Sequence, residues 1–350
     1  MENTPPRQVA IAEVAADWRD PDHPPRERAV EATLDAPNRW TEGALDHALN
    51  RWMQRFTVEA LDRWVTAPEA ADPVPVGVLH GDADPLEGIR DAGAVWTSGH
   101  PYLGRVPEAS PALLPAFAEE VADRASGVSA SFGSRDEVLE HADALMAQPD
   151  RKDAGRLRED CDAHGIPEPR RLIRPPLYTI GVLDGHETNG DCDRLAEDLL
   201  LYEGGGHRRL AVLWAPCDLS PDPYLEAMAR FRGAFPVHPD TPGALQMPKA
   251  FLEAHDESHA YAEGLEFLVS RGDPEPQSPG HIRWSEYDDF DEIGNWIQDH
   301  AESLYTVVAR DPLHDQLPDD WPLRTPGGLH VPPLDDAEGT AIAEFVRALS

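Results

Sequence analysis

The sequence contains little lysine, few cysteines and no long hydrophobic run. Its 30 basic residues include only two lysines, Lys152 and Lys249, and they face 65 acidic residues, so the net charge is −35. A field of that sign repels nucleic acids and anionic lipid surfaces. No stretch approaches the roughly 18 apolar residues that a membrane span requires, and no signal-peptide pattern opens the chain. The composition argues against nucleic-acid binding and a membrane span, and it predicts a halophilic, cytoplasmic protein.

The three cysteines, Cys161, Cys192 and Cys217, form neither a paired framework nor a Cys-x-x-Cys motif. Neither secreted disulfides nor a structural zinc site is therefore predicted. Cys161 and Cys192 are expected to be small, half-buried apolar residues.

His255 and His259 have a spacing that can bind a metal on one helix face, but the zincin order is not met. A solvated helix face, without a metal, is the expectation there.

In the first half of the chain, the apolar pattern predicts strands that alternate with helices. A loosely attached segment is predicted over 1–28, followed by two short helices over 40–65 with Thr41 and Thr57 as cap candidates. The alternating elements that follow are strand 74–80, helix 85–97, strand 102–106, helix 110–125, strand 127–132, helix 135–147 and strand 177–185. This alternation indicates a parallel, doubly wound sheet, whose ligand site lies beyond the carboxyl ends of the strands.

The second half of the chain predicts another α/β domain. Its predicted elements are helix 193–202, strand 208–216, helix 221–233, a helical run over 247–270, strand 281–287 and helix 291–304. Three glycines, Gly204, Gly205 and Gly206, separate the first of these helices from His207 and the first strand. Glycines allow positive φ and a close approach of backbone N–H groups to a ligand, but the local pattern alone favours a plain helix C-cap and loop.

Several segments together carry a resemblance to a known family. In chain order they are NRWTEGALDHAL, LDRWV, VGVLHGDADPLEG, VWTSGHPYLGRV, SPALLPAF, RPPLYTIGVLDGHET, EDLLLYEGGGHRRLAVLWAP and PPLDDAEGTAIAEFV. From about Ala29 to Phe345 the chain resembles the acyl-CoA reductases, which belong to the aldehyde dehydrogenase superfamily and include the fatty acid reductase of bacterial bioluminescence. No single segment is specific, and the resemblance depends on their common order.

The resemblance implies an aldehyde dehydrogenase-like α/β architecture, with a doubly wound cofactor domain and a smaller α/β catalytic domain. The implied organisation is an N-terminal helical segment over 1–66, an NADP-binding Rossmann-like domain over 67–185, a thioester domain over 186–310 and a C-terminal tail over 311–350. The implied activity is the NADPH-dependent reduction of an acyl-CoA to an aldehyde through an enzyme thioester. The implied partners are an acyl-CoA or related small molecule and either a second copy of the chain or an active paralogue.

The chain departs from the family pattern at two chemically important positions. His207 stands where the family has its nucleophilic cysteine, and an imidazole supplies no thiolate. Ala83 stands where the family has an asparagine that resembles an oxyanion donor. Arg105 occupies the position of the basic residue that contacts the cofactor's adenosine ribose or its phosphate. The other residues that the resemblance assigns to cofactor binding are Gly81, Gly133, Ser134, Gly205 and Gly206.

These departures leave two alternatives beside a working reductase. The first is a non-catalytic homologue that binds NADP(H) or an acyl-CoA. The second is a thioesterase-like hydrolase in which His207 acts as a general base toward water.

Overall fold

The computed structural model describes residues 6–66, 72–174, 176–206, 208–318 and 321–349. The chain divides into two compact units, unit 1 (Met1–Pro175 with Val331–Ser350) and unit 2 (Pro176–His330). The family resemblance implied a division between residues 185 and 186, after the strand over 177–185. That strand instead hydrogen-bonds to two strands of unit 2, which is why unit 2 begins before it.

The described part of unit 1 holds a five-stranded parallel sheet. Its strands are β1 (Val76–Leu79), β2 (Tyr102–Arg105), β3 (Ala130–Gly133), β4 (Ala144–Ala147) and β5 (Arg171–Ile173), in the order β3-β2-β1-β4-β5. This order reverses direction after β3, as in a doubly wound sheet. The predicted α/β fold class is therefore confirmed.

Eight helices are described in the first 174 residues: α1 (Arg7–Asp17), α2 (Pro24–Asp35), α3 (Glu42–Met53), α4 (Val58–Trp64), α5 (Ile89–Ser98), α6 (Leu113–Arg124), α7 (Arg135–His141) and α8 (Ala154–Ala163). The predicted caps are confirmed, because the Thr41 and Thr57 side chains accept hydrogen bonds from backbone N–H groups in the first turns of α3 and α4.

The prediction of a loosely attached segment over 1–28 is wrong for residues 6–28, and residues 1–5 lie outside the described residues. Helices α1 and α2 are part of unit 1, and Trp18 is fully buried between them and α6. Arg26, which is 1% exposed, donates to the Trp18 carbonyl and pairs with Asp46 at 2.7 Å. The proline and charge content of this segment concealed a short apolar repeat that packs against the rest of the unit.

The helix predicted over 135–147 is also wrong in its second half. Helix α7 ends at His141, and the following residues form β4, whose four positions are all buried. A parallel strand covered on both faces has a continuous apolar run instead of an alternating one, so its sequence resembles a buried helix. Strand β5 was not predicted, because it has only three residues.

In unit 2, the described strands form a seven-stranded sheet. They are β6 (Tyr178–Val182), β7 (Leu210–Pro216), β8 (His259–Tyr261), β9 (Leu268–Arg271), β10 (His281–Tyr287), β11 (Leu304–Ala309) and β12 (Leu323–Arg324). Their order is β12-β11-β6-β7-β10-β9-β8, and every pair is parallel except β8 with β9. Apolar clusters cover both faces of this sheet.

The remaining helices are α9 (Asn189–Leu200), α10 (Asp222–Ala234), α11 (Thr241–Ala254), α12 (Phe290–Asp299), α13 (Asp311–His314) and α14 (Ala337–Ala348). The helical run predicted over 247–270 is wrong beyond α11, because Asp256 takes a positive φ of 55° and the chain then forms β8 and β9. Of the predicted tail, residues 311–330 belong to unit 2 and only the rest returns to unit 1. There α14 is held by the Trp64 indole, which donates to the Gly339 carbonyl at 2.7 Å.

Candidate functional site

The loop that precedes β7 has an unusual backbone. Tyr202, Glu203 and Gly204 have φ values of 52°, 60° and 64°, and Gly206 has a φ of 90°. Glycine adopts this left-handed region freely, whereas a side chain there is strained. Gly205, by contrast, has an ordinary φ of −89°. Strain of this kind persists only where the surroundings impose it, and it occurs preferentially at functional sites.

Close backbone contact fixes the middle of this loop. A Cβ atom at Gly204 would lie 2.8 Å from the Leu199 carbonyl oxygen and 2.9 Å from the Gly280 nitrogen. Only glycine therefore fits at position 204, since backbone atoms cannot move aside cheaply. The close approach at Gly204 is thus to another segment of the chain, and an approach of this loop's N–H groups to a ligand stays a prediction.

Glu203 ties the loop to the two helices that follow β7. Its carboxylate accepts hydrogen bonds from the His238 backbone N–H at 3.3 Å and from the Thr241 hydroxyl, at the start of α11, at 2.7 Å. Arg232 of α10 lies with its Nη2 atom 3.6 Å from the same carboxylate. The Arg232 side chain is 2% exposed, its Nε and Nη2 atoms have no hydrogen-bond partner within the described residues, and burial lowers its pKa. We call Glu203, Arg232 and Thr241 the loop clamp.

His207, the residue that the resemblance places at the nucleophile position, lies outside the described residues. The two arginines that follow it are at the amino end of β7. Arg208 lies 5.7 Å above the Tyr305 ring, and Arg324 lies 5.4 Å from the same ring. Arg209 donates to the Gln277 carbonyl at 2.6 Å. Arg208 and Arg324 thus lie against the same aromatic ring.

All three thiols have surroundings that disfavour a thiolate. Cys161 and Cys192 are buried, as expected, and burial raises the pKa of both. Cys217 is exposed at the carboxyl end of β7, the opposite end from the glycine loop. Its thiol lies 3.3 Å from the Asp288 carboxylate, and this contact raises its pKa. Reactive cysteines need the opposite, electropositive setting.

The carboxyl edge of the unit 1 sheet brings four of the predicted cofactor residues together. Gly81 follows β1, Arg105 ends β2, and Gly133 with Ser134 lies at the end of β3, and these three strands are adjacent. Ala83, at the position of the family's asparagine, lies in the loop after β1. Gly205 and Gly206 are in unit 2.

Each of these unit 1 positions is in contact with a carboxylate of the chain itself. The Ala83 N–H donates to Glu87 at 2.7 Å, and Arg105 donates to Glu108 at 2.7 Å. The Ser134 N–H and hydroxyl both donate to Glu137, at 2.7 and 2.8 Å. Backbone N–H groups, an N-cap hydroxyl and an arginine are the groups that would bind a nucleotide phosphate. With a carboxylate on each of them, these residues do not fit the phosphates of NADP(H).

The histidine pair singled out in the sequence does not share a helix face. His255 follows the end of α11, and its Nδ1 atom lies 2.8 Å from the Phe251 carbonyl oxygen, whereas His259 begins β8. The reading of one helix with two imidazoles four residues apart is therefore wrong. Within the described ranges, no group of three or more histidine, cysteine or acidic side chains is arranged to hold a metal ion.

No described helix is long and apolar enough to cross a membrane.

Comparisons with known proteins identify the fold. No protein-family model and no curated protein sequence matches the chain. Among solved structures, a NAD-dependent benzaldehyde dehydrogenase from Corynebacterium glutamicum is similar over 97% of this chain and 83% of its own, with a TM-score of 0.67 and 13% identity. Aldehyde dehydrogenase 21 from Physcomitrella patens, in complex with succinate, is similar over 94% and 79%, with a TM-score of 0.66 and 13% identity.

A third solved structure gives the same result. Succinic semialdehyde dehydrogenase from Streptococcus pyogenes, in complex with NADP+, is similar over 89% of this chain and 78% of its own, with a TM-score of 0.62 and 12% identity. Identity this low carries information on the fold alone. The chain has the α/β fold of the aldehyde dehydrogenases.

Proposed function

We propose that this chain holds an acyl-CoA or a related acyl ligand on an aldehyde dehydrogenase fold and does not reduce it. The observation that carries this proposal is the state of the thiols. The thioester step of a reductase needs a thiolate that is both a good nucleophile and a good leaving group. The pKa of all three thiols is raised, by burial at Cys161 and Cys192 and by the Asp288 carboxylate at Cys217, and residue 207 is a histidine.

The ligand class is supported by the resemblance to acyl-CoA reductases and by the arginines beside the glycine loop. A coenzyme A ester carries several phosphate charges, and an acidic protein of net charge −35 repels such a ligand from most of its surface. Arg208 and Arg209 precede β7 at the amino edge of the unit 2 sheet, and Arg324, at the end of β12, lies 5.4 Å from the Tyr305 ring that Arg208 also contacts. An anionic ligand would therefore be attracted to this part of unit 2.

The test uses the full chain in molar salt, where its net charge is screened. Acyl-CoA esters of several chain lengths are incubated with NADPH, and aldehyde, NADPH oxidation and free coenzyme A are measured. We expect none of the three, together with ligand-dependent stabilisation of about 3 kcal/mol when the ester is present at 100 times its Kd. Aldehyde formation would overturn the proposal. Release of coenzyme A without NADPH oxidation would instead identify the hydrolase alternative, with His207 as the base.

A variant pair tests whether position 207 faces the acyl ligand. His207→Cys is expected to take up the acyl group from acyl-CoA, detected as an added mass on the intact protein, while His207→Ala stays unmodified. Both are made in a Cys217→Ser background, because Cys217 is the one exposed thiol. An unmodified His207→Cys variant would contradict the assignment of residue 207 to the nucleophile position.

A further inference from the structure

A dinucleotide bound to a doubly wound sheet needs free donors at the carboxyl edge. Its pyrophosphate takes hydrogen bonds from backbone N–H groups and a helix N-terminus, and glycines allow the backbone to come close. In unit 1 the corresponding loops follow β1, β2 and β3. Whether they can accept a phosphate depends on what already occupies their donors.

At the first loop, the side chain of His80 occupies the start of α5. A Cβ atom added to Gly88, the N-cap of α5, would lie only 1.5 Å from the His80 Nδ1 atom, so the imidazole is packed directly on this glycine. The His80 Nε2 atom lies 2.6 Å from the Tyr102 hydroxyl, which holds the ring in place. Burial lowers the pKa of His80 to about 4, so the ring is neutral and offers a phosphate no charge.

Glu87 occupies the remaining space in the same loop. A Cβ atom at Gly81 would lie 2.6 Å from a Glu87 carboxylate oxygen, and the other oxygen accepts the Ala83 N–H at 2.7 Å. Glu87 is 8% exposed. The room that a glycine leaves for a phosphate is therefore filled by a buried carboxylate that already uses the loop's donor.

The loops after β2 and β3 are occupied in the same way. Asp82 accepts the backbone N–H groups of Glu108 and Ala109, at 2.7 and 3.3 Å. Ser134 and Glu137 form a reciprocal capping box at the start of α7, which uses both the backbone N–H and the hydroxyl of the serine. A phosphate at either loop would have to displace a carboxylate and remain beside others.

We propose that unit 1 is a dinucleotide-type domain whose phosphate positions are filled by its own side chains, His80, Glu87 and Glu137, so that it binds neither NAD(H) nor NADP(H). The carboxylates take the place of the phosphates: they accept the same kinds of donor and carry the same sign of charge. Arg105, the residue best suited to a phosphate, pairs with Glu108 at 2.7 Å and lies 3.6 Å from Asp82. The domain keeps its fold without the ligand, because its loops are hydrogen-bonded internally.

The experiment compares the wild-type chain with two triple variants by NADPH and NADH fluorescence titration in molar salt. Glu87→Ala/Glu108→Ala/Glu137→Ala frees the Ala83 N–H and the Ser134 donors and leaves Arg105 with Asp82 as its remaining carboxylate partner. Glu119→Ala/Glu140→Ala/Glu159→Ala removes the same charge from exposed positions on α6, α7 and α8, and none of these three side chains accepts a hydrogen bond from Ala83, Arg105 or Ser134. We expect a Kd weaker than about 1 mM for the wild type and the control, and binding at least about tenfold tighter for the first variant.

Three results would overturn this inference. Saturable binding of either nucleotide by the wild type below millimolar concentration would show that the loops are open. Equal gains in the two triple variants would show that general charge, not these side chains, prevents binding. No gain in the first variant, when circular dichroism shows it folded, would show that these carboxylates are not the obstacle.

A milder variant covers the case in which the first triple variant does not fold. Glu137→Ala alone removes an exposed side chain and frees the Ser134 N–H and hydroxyl, and its probe is inorganic pyrophosphate measured by calorimetry. We expect heat of binding in Glu137→Ala and none in wild type or in Glu140→Ala, and equal behaviour of all three would contradict the inference.

NADPH binding without aldehyde formation would overturn this inference and leave the proposed function intact, whereas aldehyde formation would overturn both.

Discussion

The two units differ in which residues adopt the left-handed backbone conformation. Within the described residues of unit 1, every position with a φ in the left-handed region is a glycine: Gly88, Gly99, Gly127 and Gly165. In unit 2 the same region also holds the side chains of Tyr202, Glu203, Asp256 and Leu265. A side chain at such a φ raises the energy of the folded state by about 1 kcal/mol or more. Unit 2 therefore contains backbone strain that unit 1 avoids.

The strain in unit 2 is concentrated where the chain turns toward position 207. Tyr202 and Glu203 are adjacent, and each is held by neighbours: the Tyr202 ring packs edge-on against His330, with ring centroids 5.2 Å apart, and Glu203 belongs to the loop clamp. In unit 1, by contrast, carboxylates satisfy the loop donors without strain. The described backbone of unit 1 is thus free of side chains at positive φ. In unit 2, contacts with other elements hold the loop before β7 in a backbone conformation that Tyr202 and Glu203 would not adopt on their own.

The largest expected effect comes from adding a methyl group at a unit 1 glycine. Gly88→Ala meets the packed His80 ring and also has the wrong backbone preference at a φ of 85°, and we expect it to lower the free energy of unfolding by about 3 kcal/mol or more. The measurement is urea unfolding followed by circular dichroism. Gly165→Ala is the matched control, because its φ is 73° and nothing lies within 4 Å, so it should lower the same quantity by only about 1 kcal/mol. Equal losses would mean that His80 does not fill the start of α5.

An intermediate effect is expected from the loop clamp. Glu203→Gln leaves the buried Arg232 guanidinium without its counter-charge, and we expect a loss of about 2 kcal/mol, less than for a fully buried pair because Glu203 is 19% exposed. Arg232→Met in the same chain should recover part of that loss, since the double variant has no unpaired charge. Glu226→Gln on the exposed face of α10 should change stability by less than about 0.5 kcal/mol. Additive losses in the double variant would show that Glu203 and Arg232 do not stabilise the loop through their interaction.

The smallest effect is a gain. Asp256 follows the end of α11 at a φ of 55° and is exposed, so Asp256→Gly should raise the free energy of unfolding by about 0.5 to 1 kcal/mol. Leu265→Gly is the comparison, because Leu265 has a φ of 58° but packs against the buried cluster of Leu245, Leu252 and Leu268. There the lost apolar contact should outweigh the relief of strain. A loss of stability in Asp256→Gly would show that this backbone is not strained.

Local sequence signals predicted some of these features well. The threonine caps of α3 and α4 were predicted because they need only a side chain three residues from a backbone N–H, and the capping box of Ser134 with Glu137, which was not predicted, follows the same local rule. The alternation of strands and helices predicted the parallel, doubly wound arrangement. The burial of Cys161 and Cys192 followed from the general behaviour of free thiols.

Other features had no local signal. Strand β4 is a buried apolar run that also fits a helix, and the start of unit 2 at β6 depends on pairing with strands that come later in the chain. Glu87 and Arg232 were not singled out, because their roles depend on a glycine and a carboxylate that contact them only in the folded chain. A capping-box search would have found the Ser134 and Glu137 pair.

The sequence by itself determined the acidic character, the absence of a cysteine at position 207, the capped helices and the α/β class, because charge, residue identity and caps act within a few residues. Only the tertiary structure decided that His80 packs on Gly88, the N-cap glycine of α5, that Asp82 accepts backbone N–H groups of the loop after β2, and that a buried arginine and glutamate hold a strained loop in unit 2. These contacts join residues on different elements, and their energies depend on distance and burial. Neither quantity exists before the chain has folded.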